Sequence, residues 1–135
     1  PFEKGLDGHS DADVLLHAVT DAVLGAASLG DIGTHFPPSD PKWKGADSGK
    51  LLSAVVTLAK EKGWRVVNLD ATVVCERPKL GTYKETIREN VAKLLEVSVD
   101  AVSIKAKTNE KMDAVGREEG MVAQAVVLLA RDDAF

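Results

Sequence analysis

Aromatic side chains are scarce in this sequence: two Trp, one Tyr and three Phe, 4% of 135 residues. A core must therefore be built from Val, Leu and Ala. Cysteine is nearly absent, and the single Cys75 excludes an internal disulfide and fits a reducing compartment. Positive charge is in deficit, with 17 Lys and Arg against 21 Asp and Glu and no basic run, so a nucleic-acid partner has no electrostatic footprint here. No apolar run approaches the roughly 18 residues of a membrane span, and no signal peptide or membrane partner is expected. An anionic ligand would have to be held locally, by metals, a few Lys or Arg side chains or backbone N–H groups.

What is present fits one globular domain over residues 1–135, 44% hydrophobic and 28% charged. The chain starts at Pro1 rather than Met, and a segment in front of it is expected to be missing. Residues 1–9 read as a loop, with Ser10 as N-cap and Asp13 in capping-box position. The helix that follows carries Val14, Leu15, Ala18, Val19, Ala22, Val23 and Ala26 at helical spacing and stops near Gly30. Residues 30–48 hold three of the five prolines and read as a long functional loop. Ser48 is the expected N-cap of a second helix, ended by Gly63.

Alternation over 64–75 predicts a strand with Val67, Leu69, Ala71, Val73 and Cys75 on one face. A third helix is expected from Tyr83 to Leu95, a strand over 99–108 and a last strand over 120–131, apolar on both faces. The fold class is α+β: a single mixed β-sheet with helices packed on one face. The doubly apolar last strand implies that another subunit covers the other face.

The chemistry gathers in GLDGHSDADVLLHA, residues 5–18. Asp13 and His17 are four apart and share one helix face, with His9 just before the expected helix start. Imidazole and carboxylate are good Zn²⁺ ligands, and a helix N-terminus favours anions, so together they describe a phosphate site. Capping and dipole compensation account for the same aspartates, and a histidine on a helix is more often structural. His35 is without an evident partner in the sequence and reads as incidental. Asp31, Lys79, Thr108, Glu110 and Arg117 lie in or beside three polar loops, each of which offers a ligand.

The run from His9 to Ser48 closely resembles the motif of the 2-C-methyl-D-erythritol 2,4-cyclodiphosphate synthases, and RPKL (77–80), the stretch ending in EKM (110–112) and GREEG (116–120) fall where that family has its other motifs. The resemblance implies conversion of a CDP-linked methylerythritol 2-phosphate to a cyclic diphosphate with loss of CMP, in non-mevalonate isoprenoid synthesis. The catalyst is a phosphorus–oxygen lyase and a homotrimer, with the sheets of three subunits facing each other around a threefold axis.

It implies that His17 ligates Zn²⁺, with an Asp and a His from an Asp-x-His motif in the missing N-terminal segment. His9 and Ser10 contact the phosphates, His9 stabilising the transition state, and Asp13 supports a ligand. Glu110 holds a second ion, Mg²⁺ or Mn²⁺, and Thr108 contacts the phosphates beside Lys107 and Asn109. Asp31, Ile32 and Gly33 contact ribose or erythritol, and Phe36, Pro37, Pro38, Ser39 and Asp40 form a flexible loop over the methylerythritol. Cys75, Pro78, Lys79, Leu80 and Gly81 form the cytosine pocket, and Ala114 and Arg117 border a cavity on the threefold axis. The compartment implied is the bacterial cytoplasm, or a plastid for a plant or apicomplexan source. Two rivals remain at this point: a trimer that binds a nucleotide or isoprenoid phosphate without chemistry, and a metal-free structural trimer.

Overall fold

In the computed structural model, residues 5–37, 47–74, 83–107 and 122–131 are described, with side chains of the first helix described from residue 12 onward. The order is α1 (Gly5–Ala26), α2 (Ile32–His35), α3 (Ser48–Glu61), β1 (Trp64–Val74), α4 (Lys84–Leu95), a 3₁₀ turn at Val99–Ala101, β2 (Val102–Lys107) and β3 (Val122–Arg131). The sheet runs β2-β1-β3, with β1 parallel to β2 and antiparallel to β3. The α+β class and the mixed sheet are as expected.

Several boundaries differ from the sequence reading, each for a physical reason. α1 starts at Gly5, so Ser10 lies inside the helix and is not its cap. A cap preference of about 1 kcal/mol does not fix a start where the chain can continue in helical hydrogen bonds. The cap of α3 is Asp47, whose Oδ1 accepts from the Gly49 N–H at 2.6 Å, which leaves Ser48 as the first helical residue. Residues 30–48 are not all loop, because Asp31 caps the four-residue α2. The segment 99–101 is a 3₁₀ turn capped by Ser98, ahead of the strand.

The buried face of α1 is rotated from the expected one. Leu15, Leu16, Val19, Val23 and Leu24 are buried, whereas Ala26 is exposed. Two i, i+4 rows that include three leucines remove more apolar area from water than a row richer in alanine. Thr20 lies in this face fully buried, and its hydroxyl donates to the Leu16 carbonyl at 2.7 Å.

In β1 the alternation breaks at Val67. The register against β3 shifts between Val66 and Asn68, so Val66 faces the core together with Leu69, Ala71 and Val73, and Val67 is only half-buried. One extra residue at a bulge moves every residue before it to the opposite face.

The helices cover one face of this sheet. Leu52, Val55 and Val56 of α3 and Val91, Ala92 and Leu95 of α4 join the α1 rows, Leu69, Ala71, Val73, Val102 and Ile104 in one cluster. Ala123, Ala125, Val127 and Leu129 of β3 pack against it. The opposite face of β3 is open, with Val126 72%, Leu128 55% and Val122 44% exposed. Gln124 interrupts that row, and the Asp70–Lys105 ion pair at 3.0 Å lies on the neighbouring strands.

Candidate active site

The packing of α1 against α3 sets His17 beside the start of α3. His17 is exposed, and its Nε2 lies 3.1 Å from the Ser48 hydroxyl. Ser48 itself is 4% exposed. One helical turn past His17, the Asp21 carboxylate accepts from the Ile32 N–H at 3.0 Å, eleven residues away. This bond ties the turn at 31–33 to the helix that carries His17. Gly30 makes the turn possible, because its φ of +96° is one that residues with a Cβ rarely adopt.

Asp31 is exposed at the tip of that turn. Its Oδ1 accepts from the Thr34 hydroxyl at 2.8 Å and from the Thr34 N–H at 2.9 Å. The hydroxyl bond, then the N–H bond, holds the Asp31 carboxyl below its usual value of 3.8. The sign follows directly: the cap's contribution is complete above about pH 4 and is lost as pH falls through the lowered value. At neutral pH the turn presents a fixed negative charge.

His35 is not incidental. Its Nε2 meets the Leu29 carbonyl, so this nitrogen carries a proton and closes the segment from α1 to α2. Phe36 is half-buried against the core cluster, and its N–H donates to Ile32 O at 2.7 Å. It therefore anchors the start of the expected flexible loop. Pro37 is half-buried, and Pro38, Ser39 and Asp40 lie outside the described residues.

The structure thus brings together His17, Asp31, Ile32, Gly33 and Phe36 on α1, the 31–36 segment and the start of α3. His9 and Ser10 lie on the first turns of α1, and Lys107 is exposed at the end of β2. Cys75, Pro78, Lys79, Leu80, Gly81, Thr108, Asn109, Glu110, Ala114 and Arg117 lie outside the described residues. The segments that carry them leave the sheet from neighbouring positions, since Val74 is paired with both Lys107 and Val122. These are the carboxyl ends of two parallel strands, the end at which open sheets collect their ligands.

Sequence reasoning missed Asp21 and Ser48. Asp21 had a signal, the i, i+4 spacing from His17. Ser48 had none except its place at the end of the long motif. Among the described residues no group of three His, Cys, Asp or Glu side chains gathers. His17 nevertheless fits one position of a metal site, being an exposed imidazole with one ring nitrogen tied to an oxygen, the usual setting of a metal-ligating histidine.

A prediction follows for Asp21. Asp21→Ala is expected to speed hydrogen exchange of the Ile32 amide by about fivefold, the loss of roughly 1 kcal/mol of hydrogen bonding. Asp21→Asn keeps an acceptor and should retain most of the protection; equal exchange in all three proteins would remove Asp21 from this role.

Comparison with known proteins places the chain. The model of the YgbB family matches residues 1–130. A 2-C-methyl-D-erythritol 2,4-cyclodiphosphate synthase of Symbiobacterium thermophilum is 61% identical over 130 residues, 96% of this chain and 83% of that protein. The synthase of the same name from Synechococcus elongatus is 59% identical over 128 residues, 95% of this chain and 80% of that protein. Among solved structures, the CDP complex of IspF from Plasmodium falciparum superposes with a TM-score of 0.78 at 28% identity, covering 89% of this chain and 72% of that one. A motif unbroken from His9 to Ser48, a mixed sheet backed by helices and this degree of identity lead to one conclusion: the chain belongs to the YgbB family of 2-C-methyl-D-erythritol 2,4-cyclodiphosphate synthases.

Proposed function

We propose that this chain converts 4-diphosphocytidyl-2-C-methyl-D-erythritol 2-phosphate to 2-C-methyl-D-erythritol 2,4-cyclodiphosphate and CMP. The observation that carries this reading is the 61% identity, over nearly the whole chain, to a synthase of that name. In the reaction an oxygen of the 2-phosphate attacks the β-phosphorus. The bond from that phosphorus to the oxygen bridging it to the cytidylyl group breaks, and CMP leaves with the electron pair. No water enters, so the net change is an elimination of CMP within one molecule.

Such a reaction asks for two things of the protein. The substrate must be folded so that its ends meet, and several phosphate oxygens must lose their mutual repulsion. His9, Ser10 and Thr108 are assigned to the phosphates, with His9 and Thr108 as the catalytic pair. Asp31, Ile32 and Gly33 are assigned to a sugar or erythritol hydroxyl. The ionised Asp31 suits that task, since both of its described hydrogen bonds fall on Oδ1. The segments 75–81 and 107–110 receive the cytidine side. His17 would hold Zn²⁺ and Glu110 a second ion, Mg²⁺ or Mn²⁺. These cations supply neutralisation of charge on the diphosphate.

The assembly assigned to the chain is a homotrimer whose open sheet faces meet around the threefold axis, with Ala114 and Arg117 beside it. The exposed row of Val122, Val126 and Leu128 supports this reading, because a water-facing strand seldom carries three large apolar side chains together.

The direct test is to incubate the full chain with the CDP-linked 2-phosphate and follow ³¹P resonances and CMP by chromatography. Equal amounts of CMP and cyclic diphosphate are expected. Nucleotide that binds and never turns over would replace this reading with that of a binding module.

A further inference from the structure

We infer that the buried hydroxyl of Ser48 positions the His17 imidazole and selects which of its nitrogens meets a cation; this rests on the reading of His17 as a metal ligand. Ser48 is 4% exposed, and among the described residues its hydroxyl has His17 Nε2 as its partner, at 3.1 Å. A buried hydroxyl seldom goes without a partner, so this contact is part of how α3 starts against α1.

The contact has a chemical consequence. A neutral imidazole carries one N–H, and a nitrogen whose lone pair enters a metal bond cannot also hold a hydrogen bond. With Nε2 facing Ser48 Oγ, a cation is left with Nδ1, and Nε2–H then donates to the hydroxyl. Nδ1 then carries the free lone pair and is the ligating atom. A hydroxyl can donate or accept and so meets either tautomer; what Ser48 fixes is the occupied nitrogen, and with a cation on Nδ1 it accepts from Nε2–H, as the oxygen behind a metal-bound histidine does.

Its place on the chain gives the contact more meaning. Ser48 follows Asp47, whose carboxylate caps α3, so the hydroxyl is carried by a helix start that is itself fixed. One turn beyond His17, Asp21 fixes the 31–33 turn. The same helix is thus pinned twice to groups outside it, and the imidazole is itself one of the pins.

The test compares wild type, S48A and S48T as full-length protein. Zinc affinity is measured by competition with a chelator, and the His17 tautomer by ¹H–¹⁵N correlation on the zinc-loaded protein. Zinc-loaded wild type is expected to carry its proton on Nε2, and S48A to bind zinc about 10–100-fold more weakly with a mixed tautomer. S48T keeps the hydroxyl and should restore both readouts, whereas a merely structural serine would leave the tautomer unmoved. Equal zinc affinity in wild type and S48A, or a wild-type proton on Nδ1, overturns the role of Ser48 alone. A wild-type chain that takes up no zinc overturns the metal reading of His17 itself.

Discussion

His17→Ala is expected to lower CMP release from the CDP-linked substrate by at least about 10³-fold, the scale on which one preorganised electrostatic group acts in a transition state. The loss should be catalytic and not structural. His17 is exposed on α1, and alanine is the better helix former. The main structural debt is the Ser48 hydroxyl, left without its imidazole at a cost of about 1 kcal/mol, since water can enter the vacated space. The discriminating measurements are therefore three: turnover, zinc content per subunit and thermal midpoint. Turnover and zinc should fall together while the midpoint shifts by only a few degrees. A mutant with zinc and CMP release like wild type would end the assignment of a metal to this position.

The second large effect concerns assembly. Val126→Asp is expected to convert the proposed trimer to monomers at micromolar concentration, read by sedimentation or light scattering. Val126 is 72% exposed on the open face of β3, flanked by Leu128 and Val122. In a lone subunit an aspartate there points to water and costs little. In the trimer it withdraws an apolar contribution of about 1.5–3 kcal/mol per side chain. It also places an unpaired carboxylate in the interface, a further penalty of several kcal/mol per copy. Activity should fall with the assembly if, as we also propose for this trimer, neighbouring subunits share each site. A stable trimer in the mutant would show that this face is not the interface.

Much of this was readable in the residues, and the failures have a common cause. Order, class and the helical or strand nature of each long segment come from periodicity, which is a local property. The bulge at Val67 escapes such reading because the register is set by β3, more than fifty residues later. The start of α1 and the cap of α3 were displaced because a capping residue competes weakly with its neighbours. Asp47 and Ser48 are equally plausible caps by type; the structure uses one for the backbone and spends the other on His17. The Ser48–His17 and Asp21–Ile32 bonds span 31 and 11 residues, so no local pattern announces them. The long motif marks the candidate site because it contains all four of those residues, although it does not say which of them touch.

The central place of β1 also governs how the molecule comes to be. Its two neighbours in the sheet arrive later, β2 after one helix and β3 only at residues 122–131, and α1 rests largely against that last strand. At synthesis rates of about 5–20 residues per second, α1 waits roughly 5–20 s on the ribosome for the strand it packs on. During that interval its leucine rows face water, so the nascent chain is a natural client for chaperones, and the sheet closes only through pairings distant enough in sequence to make folding slow.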